Sequence, residues 1–391
     1  MNFPRACMMV ATLVVGLAGT AHAAEALDSY LEGVRTRYGL PALAAAVARN
    51  GEVVAAGAVG TRVMGMDVPV TVDDRFHLGS DTKAMTATLA GMLVEEGRIG
   101  WQTTLGDVLG KEIEGLNPAL AAVTLEQLLS HSSGIPTDTP EMMTIYFDPD
   151  GFEKNPGALR LDAIRRWKDH APKVPEGSPF QYANFGYLIA GAMLEKVAGK
   201  PWERLMVERI YEPLGLATAG FGPQATFGRY DAPVGHAVDD NGKVTPMPWG
   251  PAADLPPLVG PAGIAHMSIK DFARWVGWNA GGGKRAPHLV SPQTLAVIHR
   301  AHVKTPPLPN PPPGTPSEGA YGLGWGIVKF DWAGEPMVTH NGSNSMNFAK
   351  ALLDPKLDLA VVVTTNFPGK KAEDAAAEVQ RHLYQEFTGK P

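Results

Sequence analysis

The sequence predicts an α/β (α+β) protein in which both ends of the chain contribute to one sheet domain and a mostly helical segment is inserted between them. Two observations support this. Apolar, strand-type runs occur in pairs near both ends, and the middle of the chain is richer in helical patterns, loops and proline. We place the sheet domain at residues 24–79 and 286–391, and the helical domain at residues 80–285. The functional site is expected in the cleft between them.

The N-terminal elements follow from apolar periodicity. Residues 26–38 repeat apolar positions at helical spacing and stop at Gly39. Two strand-type runs follow, Leu43–Ala48 and Val53–Val59, and Asn50-Gly51 lies between them. Asn-Gly between apolar runs is the strongest short-range signal of a β-hairpin. The sequence therefore predicts a helix followed by a hairpin.

The C-terminal elements are predicted in the same way. Phe348–Leu353 and Leu357–Thr365 are strand-type runs that turn at Asp354-Pro355, and residues 371–387 form an amphipathic helix. Two proline-dense stretches, Pro246–Pro261 and Pro306–Pro316, cannot be regular helix because proline lacks the backbone donor. They are either walls of the cleft or surface connections.

The first residues indicate export. Arg5 is followed by the apolar run Met8–Leu17 and by Ala21-His22-Ala23, which together predict a signal peptide over residues 1–23. The alternative is an uncleaved membrane anchor. Later in the chain, no stretch approaches about 18 uninterrupted apolar residues. We therefore expect no stable membrane span after cleavage, and a periplasmic or secreted protein.

Composition and charge exclude several classes of protein. Hydrophobic residues make up 45% and charged residues 19% of the 391, as in an ordinary globular protein, and the net charge of −6 provides no basic face for nucleic acid. The one cysteine, Cys7, lies in the predicted signal, so the mature chain would have no disulfide, thiolate metal site or cysteine nucleophile. The eleven histidines lack paired ligand spacing. The sequence therefore predicts no metal and no cofactor.

The first candidate for chemistry is Ser80-Asp81-Thr82-Lys83. Ser80 precedes a run of helical apolar spacing and is predicted to be the N-cap of a buried helix. Residues three apart share a helix face, so the Lys83 amine would lie beside the Ser80 hydroxyl. A lysine held neutral by burial can accept the proton of a serine nucleophile. The alternative is a capping serine followed by a surface lysine.

Two later motifs support the catalytic interpretation. Tyr182-Ala183-Asn184 precedes an apolar stretch; its tyrosine could carry a proton to a leaving group, and Asn184 could contact both the lysine and a substrate carbonyl. His340-Asn341-Gly342 is predicted on an edge strand, where the amide of Ser343 could complete an oxyanion hole with that of Ser80. This last pattern is unspecific alone, since His77-Leu78-Gly79 also fits it.

Together these motifs resemble those of serine β-lactamases of the class C type and of the DD-peptidases, D-aminopeptidases and esterases that share their fold. The resemblance covers nearly all of the chain after the predicted signal. Three framework segments match as well: Thr124–Pro136, which contains His131, Pro261–Gly263 and Tyr321–Trp325. We expect His131 to be a structural histidine.

The resemblance implies a five-stranded antiparallel sheet flanked by helices, with an inserted helical domain. It also implies an acyl-enzyme on Ser80, proton transfer by Lys83 and Tyr182, and no metal. Class C enzymes have lysine where this chain has His340, whereas histidine is common in the family's esterases and peptidases. An esterase or D-amino-acid peptidase acting on a small ester, amide or peptide is therefore favoured over a class C-like β-lactamase. The remaining alternative is a non-catalytic periplasmic binding or scaffold protein.

Overall fold

The computed structural model describes residues 26–148 and 155–389, so the predicted signal peptide lies outside the described residues. Within them, no helix combines the length and apolarity needed to cross a membrane. The strands in chain order are β1 (Ala42–Arg49), β2 (Glu52–Gly60), β3 (Arg75–His77), β4 (Gly220–Phe221), β5 (Gly235–Val238), β6 (Val244–Met247), β7 (Ala265–Ser268), β8 (Val303–Thr305), β9 (Gly319–Tyr321), β10 (Gly326–Val328), β11 (Met337–Ser343), β12 (Phe348–Asp354) and β13 (Leu359–Thr365).

The helices are concentrated between the two groups of long strands. They are α1 (26–38), α2 (Thr82–Glu95), α3 (Leu105–Leu109), α4 (Pro118–Ala121), α5 (Leu125–Leu129), α6 (Pro140–Tyr146), α7 (Pro156–Trp167), α8 (Asn184–Ala198), α9 (Trp202–Met206), α10 (Glu212–Leu214), α11 (Gly260–Gly263), α12 (Ile269–Ala280), α13 (Pro292–His299) and α14 (Gly369–Thr388). The predicted first and last helices are both present, as α1 and α14.

The two predicted hairpins are also present. Asn50 and Gly51 have φ values of +53° and +84°, as a two-residue hairpin turn between β1 and β2 requires. In the second hairpin β13 begins two residues later than predicted, at Leu359. The reason is that the amide of Leu357 donates to the Asp354 carbonyl and so belongs to the turn.

The main sheet has the strand order β2-β1-β13-β12-β11-β10-β9-β8, and all of its pairs are antiparallel. The expected antiparallel sheet is confirmed, but it has eight strands instead of five. The five longer strands form one side, and three strands of three residues each extend it beyond β11. Strands this short do not produce the period-two pattern by which a strand is predicted from sequence.

Helices cover both faces of this sheet. α1 and α14 pack on one face with Leu352, Val361 and Val363, and the other face belongs to a larger core shared with α2, α8 and α12. α12 packs directly on β1 and β13. It therefore covers one face of the sheet, and it falls in the residue range that the predicted boundary at residue 285 assigns to the helical domain. Its amphipathic pattern predicts a helix but does not specify the layer against which the helix packs.

Candidate active site

Ser80 lies in a 3₁₀ turn, Gly79–Asp81, that leads directly into α2. The prediction that Ser80 is the N-cap is wrong, because Asp81 occupies that position and makes no capping hydrogen bond. Gly79 has a φ of +50°, and a Cβ atom there would lie 2.3 Å from the backbone nitrogen of Ser343. Only glycine permits this close approach.

Lys83 lies one helical turn after Ser80 and is completely buried. Its Nζ donates to Ser80 Oγ at 3.0 Å, to Asn184 Oδ1 at 2.8 Å and to the Ala262 carbonyl at 2.7 Å. Burial lowers the pKa of Lys83 to about 7, although the nearby carboxylates of Asp138 and Asp81 raise it. Near neutral pH a substantial fraction of Lys83 is therefore unprotonated and able to accept a proton.

Tyr182 lies on the other side of the same amine. The centroid of its ring is 4.8 Å from Lys83 Nζ. Burial raises the pKa of Tyr182, and a hydrogen bond with Ser80 partly offsets this increase. The phenol is therefore protonated at neutral pH, so Tyr182 is a proton donor while Lys83 is the better proton acceptor.

Asn184 is the first residue of α8 and connects the lysine to a carboxylate. While its Oδ1 accepts from Lys83, its Nδ2 donates to Asp138 Oδ2 at 2.7 Å. Tyr146 Oη donates to the other oxygen of Asp138 at 3.0 Å. Asp138 is a part of the site that the sequence analysis missed. It is a single aspartate in a loop 46 residues before Asn184, with no motif that marks it.

Strand β11 completes the site from the sheet. The edge-strand prediction is wrong for its first residues, because Met337–Thr339 pair with β10. It is correct for His340–Ser343, which pair only with β12. At Gly342 a Cβ atom would lie 1.8 Å from the Leu78 carbonyl oxygen, so the strand and the Ser80 turn approach as closely as their backbones allow.

His340 is buried beside this contact. Its Nε2 lies 2.8 Å from Tyr321 Oη, and its Nδ1 lies 3.8 Å from Asp81 Oδ1. Burial, reinforced by the charge of Lys83, lowers the pKa of His340 to about 3. The imidazole is thus neutral at neutral pH and does not replace the cationic lysine of class C enzymes.

A second histidine supports the Gly79–Asp81 turn. The Gly79 amide donates to His77 Nδ1 at 3.0 Å, and His77 Nε2 lies 2.8 Å from Asp254 Oδ1. Asn344 Nδ2 donates to the same Asp254 oxygen at 3.0 Å. No pattern in the sequence predicts this network, since His77 belongs only to a second match to the unspecific His-x-Gly pattern.

His131 contacts the site through Tyr182. Its Nδ1 accepts the Ala183 amide hydrogen at 3.1 Å, and its ring centroid is 4.2 Å from that of Tyr182. Burial lowers the pKa of His131 well below its usual range. It therefore packs as a neutral support for the tyrosine.

A cavity of about 430 Å³ is lined by Tyr182 and His340 and by part of the proline-dense segment Pro306–Pro316. This segment is therefore a wall of the cleft. The other proline-dense stretch also reaches the site. The carbonyl of its last residue, Pro261, accepts from Thr86, and the carbonyl of the next residue, Ala262, accepts from Lys83.

The comparisons with known proteins agree with this geometry. Residues 27–386 match the Beta-lactamase family. The chain is 28% identical over 377 residues to penicillin-binding protein 4 of Amycolatopsis lactamdurans, which covers 94% of this chain and 90% of that protein. It is 29% identical over 308 residues to an unguisins hydrolase of Aspergillus campestris, covering 76% of this chain but only 53%, about half, of that relative. The solved D-amino acid amidase from Ochrobactrum anthropi SV3 is similar in fold, with a TM-score of 0.72 at 20% identity over 93% of this chain and 99% of that one.

The family match spans nearly all of the described chain, so this protein belongs to the Beta-lactamase family. The resemblance inferred from the sequence is confirmed, as is the serine β-lactamase-like fold.

Proposed function

We propose that this protein is an exported hydrolase that cleaves a small ester or amide through a covalent acyl-enzyme on Ser80. The observation that carries the proposal is the buried amine of Lys83, which lies 3.0 Å from Ser80 Oγ and whose pKa is lowered to about 7. A serine hydroxyl becomes a competent nucleophile when an adjacent base removes its proton.

The reaction then uses the residues in a fixed order. Neutral Lys83 accepts the Ser80 proton while Oγ attacks the substrate carbonyl carbon. The amides of Ser80 and Ser343 stabilise the negative charge on the carbonyl oxygen. Tyr182 donates its proton to the leaving alcohol or amine and recovers one from Lys83. Water next attacks the acyl-enzyme, passing its proton back through the same groups, and releases the acid and Ser80.

An activity-based probe tests this proposal. A fluorophosphonate is expected to label the purified protein once, and peptide mapping should place the adduct on Ser80. Labelling at another serine, or no labelling by a probe that labels a control hydrolase, would contradict the assignment. Export is tested separately, since the proposed signal peptide should be absent from the N-terminus of protein recovered from the periplasm or medium.

Small acyl esters or D-amino-acid amides are expected to be hydrolysed faster than cephalosporins, by at least about tenfold in kcat/KM. A β-lactam carries a carboxylate next to its reacting ring, and neutral His340 offers no charge there. Losing a charge-assisted hydrogen bond costs about 1.5–3 kcal/mol, or one to two powers of ten. p-Nitrophenyl butyrate, D-alanine p-nitroanilide and nitrocefin provide the comparison.

The variant His340→Lys is the matched test of that explanation. It should improve nitrocefin acylation without improving ester hydrolysis, because an ester has no carboxylate for the new amine to bind. If the wild-type protein turns over nitrocefin as fast as p-nitrophenyl butyrate, the protein is a β-lactamase instead.

The kcat/KM of ester hydrolysis is expected to fall as the pH drops below about 7, by about tenfold per pH unit. The reason is that protonated Lys83, whose pKa is lowered to about 7 by burial, cannot accept the Ser80 proton. The carboxylate of Asp138 raises that pKa, so Asp138→Asn should move this acid limb to lower pH. The exposed Asp169→Asn is the control and should leave the limb in place. An Asp138→Asn profile that stays unchanged or moves to higher pH would show that Lys83 is not the titrating base.

A further inference from the structure

One buried carboxylate lies between the two backbone segments that carry the expected oxyanion-hole amides. Asp254 is 6% exposed and belongs to the proline-dense stretch Pro246–Pro261, where it lies between two 3₁₀ turns. The amides of Ser80 and Ser343 belong to separate elements, the turn before α2 and the end of β11. Asp254 is connected to each of these elements through one side chain.

The connection to the Ser80 turn passes through His77. The side chain of this histidine, at the end of β3, is completely buried, and its Nδ1 accepts the Gly79 amide hydrogen at 3.0 Å. A neutral imidazole that accepts on Nδ1 carries its proton on Nε2. His77 Nε2 lies 2.8 Å from Asp254 Oδ1, a short contact that is not aligned as a linear hydrogen bond. The carboxylate therefore supports the ring that holds the residue before Ser80.

The connection to β11 passes through Asn344, the residue after Ser343. Its Nδ2 donates to Asp254 Oδ1 at 3.0 Å, and its Oδ1 accepts two backbone amide hydrogens of the turn that follows. Asn344 is 4% exposed, and buried hydrogen bonds of this kind are stronger than those in water. The same carboxylate oxygen thus contacts a side chain from each half of the expected oxyanion hole.

These contacts are all made to one of the two carboxylate oxygens. Asp254 Oδ1 also accepts the Leu255 amide hydrogen at 2.7 Å. Its Oδ2 is buried and has no hydrogen-bond partner among residues 26–148 and 155–389. The contacts therefore require an acceptor oxygen at the position of Oδ1, which an asparagine would also supply.

The Ser80 turn and β11 also contact each other directly. A Cβ atom on Gly79 would lie 2.3 Å from the Ser343 nitrogen, and one on Gly342 would lie 1.8 Å from the Leu78 carbonyl oxygen. Steric contacts of this kind set the closest approach of the two elements but do not resist their separation. Attachment of both elements to one buried oxygen does resist it.

We infer that Asp254 is a positioning residue that sets the separation of the Ser80 and Ser343 amides in the oxyanion hole. The inference rests on the proposed function, because it takes these two amides as the donors to the carbonyl oxygen of the substrate. Such donors must lie about 2.7–3.1 Å from the place that the oxygen occupies in the transition state. A wider gap between the amides weakens these bonds, so it slows acylation more than it weakens ester binding.

Asp254→Ala tests the inference in the pre-steady-state hydrolysis of p-nitrophenyl butyrate. The acylation rate constant should fall by about 10- to 100-fold, whereas the dissociation constant of the ester, from the same titration, should change by less than about threefold. Asp254→Asn keeps an acceptor oxygen at the position of Oδ1 and should retain the acylation rate within about fivefold. An acylation rate for Asp254→Ala within about threefold of wild type, or a loss confined to ester binding, would overturn the inference. So would an equal loss for the asparagine and alanine variants.

The control for a purely structural role is Asp271→Ala. Asp271 is another buried carboxylate, 1% exposed, and it accepts from the amide and the hydroxyl of Thr218. It lies on α12, which packs on β1 and β13. Its replacement should lower Tm as Asp254→Ala does but leave the acylation rate unchanged. An equal loss of acylation in Asp271→Ala would assign the effect to reduced stability and reject the positioning role.

A second variant is available if Asp254→Ala does not fold. Asp254→Glu keeps the charge but moves the carboxylate by one methylene group, so it should show the same loss of acylation with little change in ester binding. If this variant acylates within about threefold of wild type, the inference is wrong.

The inference and the proposed function can fail separately. If the wild-type protein hydrolyses no ester and the fluorophosphonate does not label Ser80, the proposed function fails, and amide hydrogen exchange then tests the attachment alone. Asp254→Ala should speed exchange by about tenfold or more in both segments, residues 77–81 and 342–347, and Asp271→Ala in neither. Faster exchange in only one segment, or in neither, would reject Asp254 as their common attachment.

Discussion

Ser80→Ala is expected to reduce ester hydrolysis by about 10⁴- to 10⁶-fold while leaving the fold intact. Ser80 is half-buried at the surface of the cleft, and its hydroxyl accepts from Lys83. Removing it creates no large cavity but eliminates the atom that would form the acyl-enzyme. Oxyanion stabilisation and substrate binding would remain, and they account for the residual rate. Initial rates with p-nitrophenyl butyrate, together with Tm and circular dichroism, measure both parts of the prediction.

The control for this experiment is Ser29→Ala. Ser29 is exposed on α1, on the opposite side of the sheet from the nucleophile turn, so the same chemical change should leave the rate unaffected. Activity of Ser80→Ala within about tenfold of wild type would reject Ser80 as the nucleophile. A loss of activity together with a large fall in Tm would indicate misfolding, and labelling by the fluorophosphonate probe would then be the deciding measurement.

Lys83→Ala and Tyr182→Phe are each expected to lower the acylation rate by about 10³-fold or more, and the double variant should lose little beyond the worse single one. The two side chains lie at the same hydroxyl group, because Lys83 Nζ donates to Ser80 Oγ and lies 4.8 Å from the centroid of the Tyr182 ring. Groups that form one proton-transfer unit have non-additive effects in a double-mutant cycle. Pre-steady-state release of p-nitrophenol reports the acylation step directly.

Comparing Tyr182→Phe with Tyr187→Phe separates the effect of proton transfer from that of packing. Tyr187 is also buried near Lys83, with its ring centroid 5.4 Å from Nζ, but its hydroxyl donates to the Leu129 carbonyl. Tyr187→Phe should therefore lower stability more than acylation. Losses for Lys83→Ala and Tyr182→Phe that simply multiply in the double variant would show that the two residues act independently.

The sequence was sufficient to predict that the residues of the local motifs lie close together. Ser80 and Lys83 are three residues apart, and helical geometry alone places their side chains on one face. Tyr182 and Asn184 occupy a similarly short motif, and both contact the amine of Lys83 as expected. The hairpins and the terminal helices could also be predicted, because each depends on periodicity and turn residues within about 25 positions.

Residues whose importance comes from distant partners could not be predicted. Asp138 and Asp254 belong to no motif, and His77 matches only an unspecific one; each gains its place in the site from a contact between distant parts of the chain. The charge states of buried side chains could not be predicted from the sequence either. Lys83 and His340 have lowered pKa values because the packed core removes them from water, and the depth of burial is not encoded in any short segment.

The sequence by itself therefore determined the family, the antiparallel sheet built from both ends of the chain, and the local pairs of site residues. Only the tertiary structure decided that Ser80 lies in a 3₁₀ turn held against β11, that short strands extend the sheet to eight, and that the buried Lys350 lines the same cavity as Tyr182. The physical reason is the range of the interactions. Periodicity and turn geometry act between neighbours in the chain, whereas burial, close backbone approach and unpaired charge arise only when distant segments pack together.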